Sequence, residues 1–157
     1  MDELVTILAR VGVVGAALTG GTVFAFSTFI MAGLKRLPDA EGIRAMQSIN
    51  KTVYTPWFMG PFFGTALLSV VSVVLGILNT QSTWNIAMIV AGSMFALGAF
   101  GVTAVGNVPM NTKLDGMNAD DPAAGAYWRR YLMVWTRWNH VRVLASIGAV
   151  LGYAIVS

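Results

Sequence analysis

Sixty-one consecutive residues, from Thr52 to Thr112, contain no Asp, Glu, Lys or Arg. A second uncharged run of 24 residues separates Arg10 from Lys35, and a third of 15 residues follows Arg142. A soluble domain this size has too little interior to hide such runs. Roughly 25% of an ordinary soluble domain is charged, whereas this chain is 11% charged and 56% hydrophobic. A helical bilayer crossing needs about 20 mostly apolar residues. The chain therefore reads as an integral membrane protein, and soluble-enzyme, disordered-chain and nucleic-acid-binding readings are excluded. The formal charge of +3 then reports topology rather than a polyanionic partner.

Four crossings fit the apolar runs, at about 4–34, 57–78, 84–106 and 138–156. The five-residue polar segment Asn79-Thr80-Gln81-Ser82-Thr83 separates the second from the third. The runs far exceed the roughly 10 residues of a barrel strand and do not alternate polar with apolar. Backbone groups in lipid must be paired within the segment, which leaves helices. The expected fold is all-α, a transmembrane four-helix bundle in a single membrane domain, 1–157. Asp2 and Glu3, the long apolar run and the lack of an A-x-A site argue against a cleaved leader, so the first segment is expected to be retained. Gly12, Gly15, Ala16, Thr19 and Gly20 mark a close-packing seam along it.

The two longer connections have structure of their own. Pro38-Asp39-Ala40-Glu41 reads as a helix start, since Pro suits the first turn and acids suit the positive dipole end. Ile43, Met46, Asn50, Val53 and Trp57 then recur on one face of an amphipathic helix over about 39–55 that leads into the second crossing. Pro56 and Pro61 are expected to bend that entry. Pro109 is expected to end the third helix at Asn107, and helix resumes near Ala123, amphipathic over about 123–137. Lys35, Arg36, Arg44, Lys51, Lys113, Arg129, Arg130, Arg137 and Arg142 lie in or beside these connections. Arg10 alone, set against Asp2 and Glu3, marks the other side. The positive-inside rule places both connections in the cytoplasm and both termini outside, in what is expected to be a bacterial inner membrane.

The last helix carries the most information. At about 100° per residue, Trp128, Tyr131, Asn139, Arg142, Ser146 and Tyr153 all fall within about 40° of Trp135. Arg129, Arg130, Arg137 and His140 fall on the opposite side. The helix would extend about 48 Å, more than the roughly 30 Å hydrocarbon core, so its basic half projects into the headgroups and Arg142 begins the buried part. Ser27 and Thr28 in the first helix, Asn50 and Trp57 before the second, and Asn107 and Asn111 after the third reach the same level. Polar and aromatic groups from four helices thus meet at one end of the bundle.

Polar groups at this depth are costly, so an inward arginine marks a functional site by default. A snorkelling or helix-capping arginine is the other physical option; its place on the Trp and Asn face favours the inward one. Asn107 and Asn111 can also act as helix-end and turn residues, Asn50 and Ser27 as packing hydrogen bonders, and the tryptophans as an interfacial belt. His140 lies on the basic side, where an imidazole is ordinarily solvated, although imidazole chemistry suits proton abstraction. No metal is expected. The chain has one histidine and no cysteine, while a catalytic zinc or iron needs several His or carboxylate ligands. Nucleotide-binding glycine motifs are missing too.

Four elements carry a resemblance. They are Phe24-Ala25-Phe26-Ser27-Thr28-Phe29, Ala45-Met46-Gln47-Ser48-Ile49-Asn50, Asn107-Val108-Pro109-Met110-Asn111 and Trp135-Thr136-Arg137-Trp138-Asn139-His140-Val141-Arg142. In order and spacing the chain resembles the anthrone-oxygenase-like family of small four-helix membrane proteins over nearly its whole length. The resemblance implies a cofactor-independent monooxygenase, which oxidises a flat phenolic, polyketide-type substrate with O2 to a quinone and uses neither metal nor flavin. It implies Arg142, Asn139, Asn107 and Asn111 as the polar catalytic positions, with His140 inside the same motif. Trp135, Trp128, Tyr131, Trp57, Asn50 and Ser27 are the expected substrate-binding side chains. The expected partners are a hydrophobic aromatic small molecule, O2, the lipid bilayer and a second copy of the chain. Two other readings use the same residues: a non-enzymatic membrane binder or carrier of flat hydrophobic molecules, and an accessory subunit of a membrane complex.

Overall fold

The computed structural model describes residues 3–157; Asp2, one of the acids set against Arg10, lies outside them. Five helices follow one another: α1 (Glu3–Leu34), α2 (Asp39–Thr52), α3 (Pro56–Leu78), α4 (Asn85–Asp115) and α5 (Pro122–Val156). No strand occurs among the described residues. All but α2 are long and apolar enough to cross a membrane, and their outward faces carry exposed Leu67, Leu97, Leu144 and Ile155. The protein is an integral membrane helical bundle.

The small residues of α1 form the expected seam. A Cβ added at Gly12 would come within 2.8 Å of the Tyr153 ring of α5, and one at Gly15 would overlap Thr65 Oγ1 of α3. Close approach puts Tyr153 OH 3.1 and 3.2 Å from Ser69 Oγ and Ser72 Oγ of α3, so these three hydroxyls are paired within the bundle. That half is centred on Phe62, Met88, Phe95 and Ala149. At the other end Ile43 and Met46 of α2 pack on Leu114, Trp128, Tyr131 and Trp135. There Gln47 Nε2 donates to the Leu114 and Met117 carbonyls, both at 2.9 Å, which caps the end of α4. Asp121 accepts the Ala123 amide at 2.8 Å and starts α5.

Two expectations about helix ends are corrected. Pro109 does not terminate the third helix; α4 runs through it to Asp115. The turn before it, Thr103–Asn107, is widened, with the Val108 amide reaching back five residues to the Thr103 carbonyl. This wider turn gives the proline ring, which ordinarily strikes the carbonyl one turn back, room to follow. The face begun by Ile43 also stops at Val53. The chain leaves helix over residues 53–55 and restarts at Pro56, which turns Trp57 outward to 90% exposure.

The angular reading of α5 holds. Trp128, Tyr131, Trp135, Asn139, Arg142, Ser146 and Tyr153 are all buried, whereas Arg129, Arg130, Arg137 and His140 are exposed.

Candidate functional site

Side chains from all five helices line a cavity of about 160 Å³ near the basic end. One wall comes from the inward face of α5 with Trp135, Asn139 and Arg142; α4 contributes Thr103, Asn107 and Asn111. The opposite wall is apolar: Met46 and Ile49 of α2, Phe58 and Phe62 of α3, Phe26 of α1. Exposed Tyr54, Phe63 and Val108 also line it, and form its mouth between the start of α3 and α4. Widened turns flank it at Phe26–Ile30 in α1 and Thr103–Asn107 in α4. Such turns recur at functional sites because they rotate the following side chains out of α-helical register.

Arg142 is only 7% exposed. Its Nη1 donates to Asn139 Oδ1 at 3.1 Å, and its Nε finds no protein acceptor. Among the described residues the two ion pairs, Arg44–Asp120 and Arg129–Asp39, are on exposed side chains and do not involve it. Arg142 therefore does not snorkel. Its hydrogen-bond partner is Asn139, one turn earlier on its own helix, and Asn107 and Asn111 line the same cavity.

The other two asparagines are engaged by α5. Asn111 Oδ1 accepts from Tyr131 OH and Trp135 Nε1, both at 2.7 Å. Asn107 Nδ2 donates to the Trp135 carbonyl at 3.2 Å, while its buried Oδ1 has no protein donor. Arg142 Nε and Asn107 Oδ1, from two residues of the cavity wall, are thus buried without a partner among the described residues. Asn50 lines the cavity and donates to Asp115 at 2.9 Å.

The aromatic residues form a ladder. Trp128 stacks on Tyr131 at 5.4 Å between centroids, Tyr131 on Trp135 at 5.8 Å, and Trp135 meets Phe26 at 5.7 Å. Trp135 lines the cavity; Trp128 and Tyr131 stand behind it and hold its ring rather than forming the wall. His140 and Ser27 do not line the cavity either, and lie 3.0 Å apart behind Asn139. Trp57 stands apart from the whole assembly. Of the eleven expected residues, Arg142, Asn139, Asn107, Asn111, Trp135 and Asn50 share the wall. The apolar wall was missed, although Phe58 and Phe62, which stack at 5.8 Å, stand at the four-residue spacing that puts two rings on one helix face. Among the described residues no three His, Asp or Glu side chains gather as a metal site.

The sequence matches the family described as anthrone oxygenase over residues 52–152, a span that takes in α3, α4 and most of α5. No curated protein and no solved structure matches the chain.

Proposed function

The chain belongs to the anthrone oxygenase family, and from that premise we propose that it oxidises a flat phenolic ketone of the anthrone type with O2, in the α5 cavity. The single observation that carries this reading is Arg142: a buried guanidinium in an aromatic-walled cavity, without a carboxylate partner among the described residues. Arginine stays charged, and a charge at this depth calls for anionic density beside it. An anthrone supplies that density only as it reacts.

The balanced reaction is anthrone plus O2 giving anthraquinone plus water. Loss of a proton from the methylene between the aromatic rings puts negative charge on the ketone oxygen. Arg142 stabilises that oxyanion, and Asn107 Oδ1 accepts from a neighbouring phenol. A donor and an acceptor fixed before the reaction in this way favour the charged transition state over the neutral ground state. The enolate gives one electron to O2, and the resulting radical and superoxide combine to form the C–O bond. The peroxide then loses the second methylene proton and its O–O bond breaks. One oxygen stays as the new carbonyl and the other leaves as water. The cavity lining contains no carboxylate or imidazole, so the first proton leaves to water at the mouth. No metal or flavin takes part in this scheme.

Size supports a partly enclosed substrate. A cavity of about 150 Å³ holds a single benzene ring. The cavity of about 160 Å³ therefore takes about one ring, and the rest of a fused tricycle lies in the mouth at Tyr54 and Phe63.

The test is O2 uptake by purified protein with a panel of anthrones, with and without chelator. We expect one O2 consumed per quinone formed, and no loss of rate on chelation. Binding without O2 consumption would replace this reading with that of a carrier.

The same proposal sets the site at the cytoplasmic side of a bacterial inner membrane. Single cysteines at Ser82, in the α3–α4 turn, and at Asp120, which pairs with Arg44, should label from opposite faces of sealed vesicles, Asp120 from the cytoplasmic one. Labelling of both from the same face would refute the orientation and the four crossings together.

A further inference from the structure

A hydrogen-bonded chain leads from the cavity to the exposed surface of α5. Asn139 is fully buried, and its Nδ2 donates both hydrogens, to the Val23 carbonyl at 2.7 Å and to Ser27 Oγ at 2.7 Å. Its Oδ1 is left to accept from Arg142 at 3.1 Å. Ser27 is thus an acceptor toward Asn139, and its own hydroxyl hydrogen must go elsewhere. Thr22 and Thr28, its neighbours on α1, return theirs to carbonyls one turn back. Ser27, in the widened turn Phe26–Ile30, instead has His140 Nδ1 at 3.0 Å. In the tautomer with its proton on Nε2, the other nitrogen of the exposed ring, Nδ1 is free to receive this hydrogen.

We propose that His140 and Ser27 are positioning residues: the lone pair of His140 Nδ1 fixes the Ser27 hydroxyl, Ser27 fixes the Asn139 amide, and Asn139 aims Arg142 into the cavity. Every bond in the chain points the same way, from cation to imidazole, and aligned bonds strengthen one another. This moves His140 from the base role to the outer end of a support. An amide passes on orientation but not a proton. The role in turnover rests on the oxygenase reading; the chain of orientation does not.

His140 is the only histidine in the sequence, so protein labelled with [15N]histidine reports this residue alone. In nanodiscs at mildly alkaline pH we expect Nδ1 to resonate as an unprotonated, hydrogen-bonded nitrogen and Nε2 as protonated. Ser27→Ala should shift Nδ1 to the free position. His140→Phe should shift the side-chain amide signal of Asn139, two bonds along the chain. A proton on Nδ1 in the wild type, or signals unmoved by these changes, would overturn the proposal whether or not the protein oxidises anthrones.

Turnover provides the second arm. His140→Phe should lower kcat roughly tenfold, the value of about one hydrogen bond, with KM nearly constant. His140→Asn should restore most of that loss, because the amide oxygen accepts where Nδ1 does. Asparagine has no basic nitrogen. A His140→Asn enzyme as slow as His140→Phe would make His140 the base and sink the positioning role. Absence of turnover in the wild type would count against the oxygenase reading alone, and the nitrogen spectra would still decide the chain.

Discussion

Replacing Arg142 with methionine should cost anthrone turnover at least about 100-fold, the usual loss when one oxyanion donor is removed, while the thermal midpoint stays level or rises. The two expectations come from one fact. The guanidinium is buried against aromatic and amide groups with no carboxylate paired to it among the described residues, and desolvating such a charge costs several kcal/mol. Methionine fills similar space without that cost. The change leaves Asn139 Oδ1 without its donor, a loss of about 1–3 kcal/mol, so the two effects roughly offset. Arg142→Lys keeps the charge but loses the planar fork, and should fall between wild type and methionine in rate. The measurements are kcat/KM from O2 uptake and the unfolding midpoint in the same detergent. A steep fall in midpoint with methionine would make Arg142 a structural residue rather than a site.

Asn111 should show the reverse pattern. Its Oδ1 receives hydrogens from Tyr131 and Trp135 together, so Asn111→Leu orphans two donors with one substitution. At about 1–3 kcal/mol for each unsatisfied group, the expected loss of stability is about 2–6 kcal/mol. The rings that Asn111 tethers form the stack from Trp128 to Trp135, so tryptophan emission should change as well. Asn111→Asp retains an acceptor oxygen and should recover much of the stability. Chemical unfolding followed by fluorescence checks both, and a Leu variant as stable as wild type would show that the two bonds are worth little.

These predictions concern residues that the sequence brought forward for different reasons. The α5 face was legible because a long straight helix projects its side chains at a fixed angle, and one amphipathic period separates Trp135, Asn139 and Arg142 from Arg137 and His140. The crossings were legible because lipid tolerates few charges. Partners across the bundle were not. Helical phase says that Asn107 and Arg142 approach the same level, but not that Asn107 is engaged by the Trp135 backbone. The widened turns were illegible for a related reason. They shift register by one residue, and neither Phe26–Ile30 nor Thr103–Asn107 carries a composition that marks it. Pro109 was therefore taken as a stop. Trp57 was misplaced because a periodic pattern was carried through the break at residues 53–55, where the chain changes direction and the phase restarts.

The mouth at Tyr54, Phe63 and Val108 has a kinetic consequence. Phe63 and Val108 belong to helices long and apolar enough to cross a membrane, so under the proposed function a flat apolar molecule meets that side of the opening by diffusing within the leaflet, while water reaches it at Tyr54, in the break between α2 and α3. The quantity that sets occupancy is then the molecule's mole fraction in lipid rather than its aqueous concentration. Diluting the same amount of substrate into more bilayer should then slow the proposed oxidation even though nothing in the water has changed. A membrane crowded with other flat hydrophobes should inhibit it without any of them reaching Arg142. Under the proposed function the bilayer is both the reservoir and the first filter of what reaches the cavity.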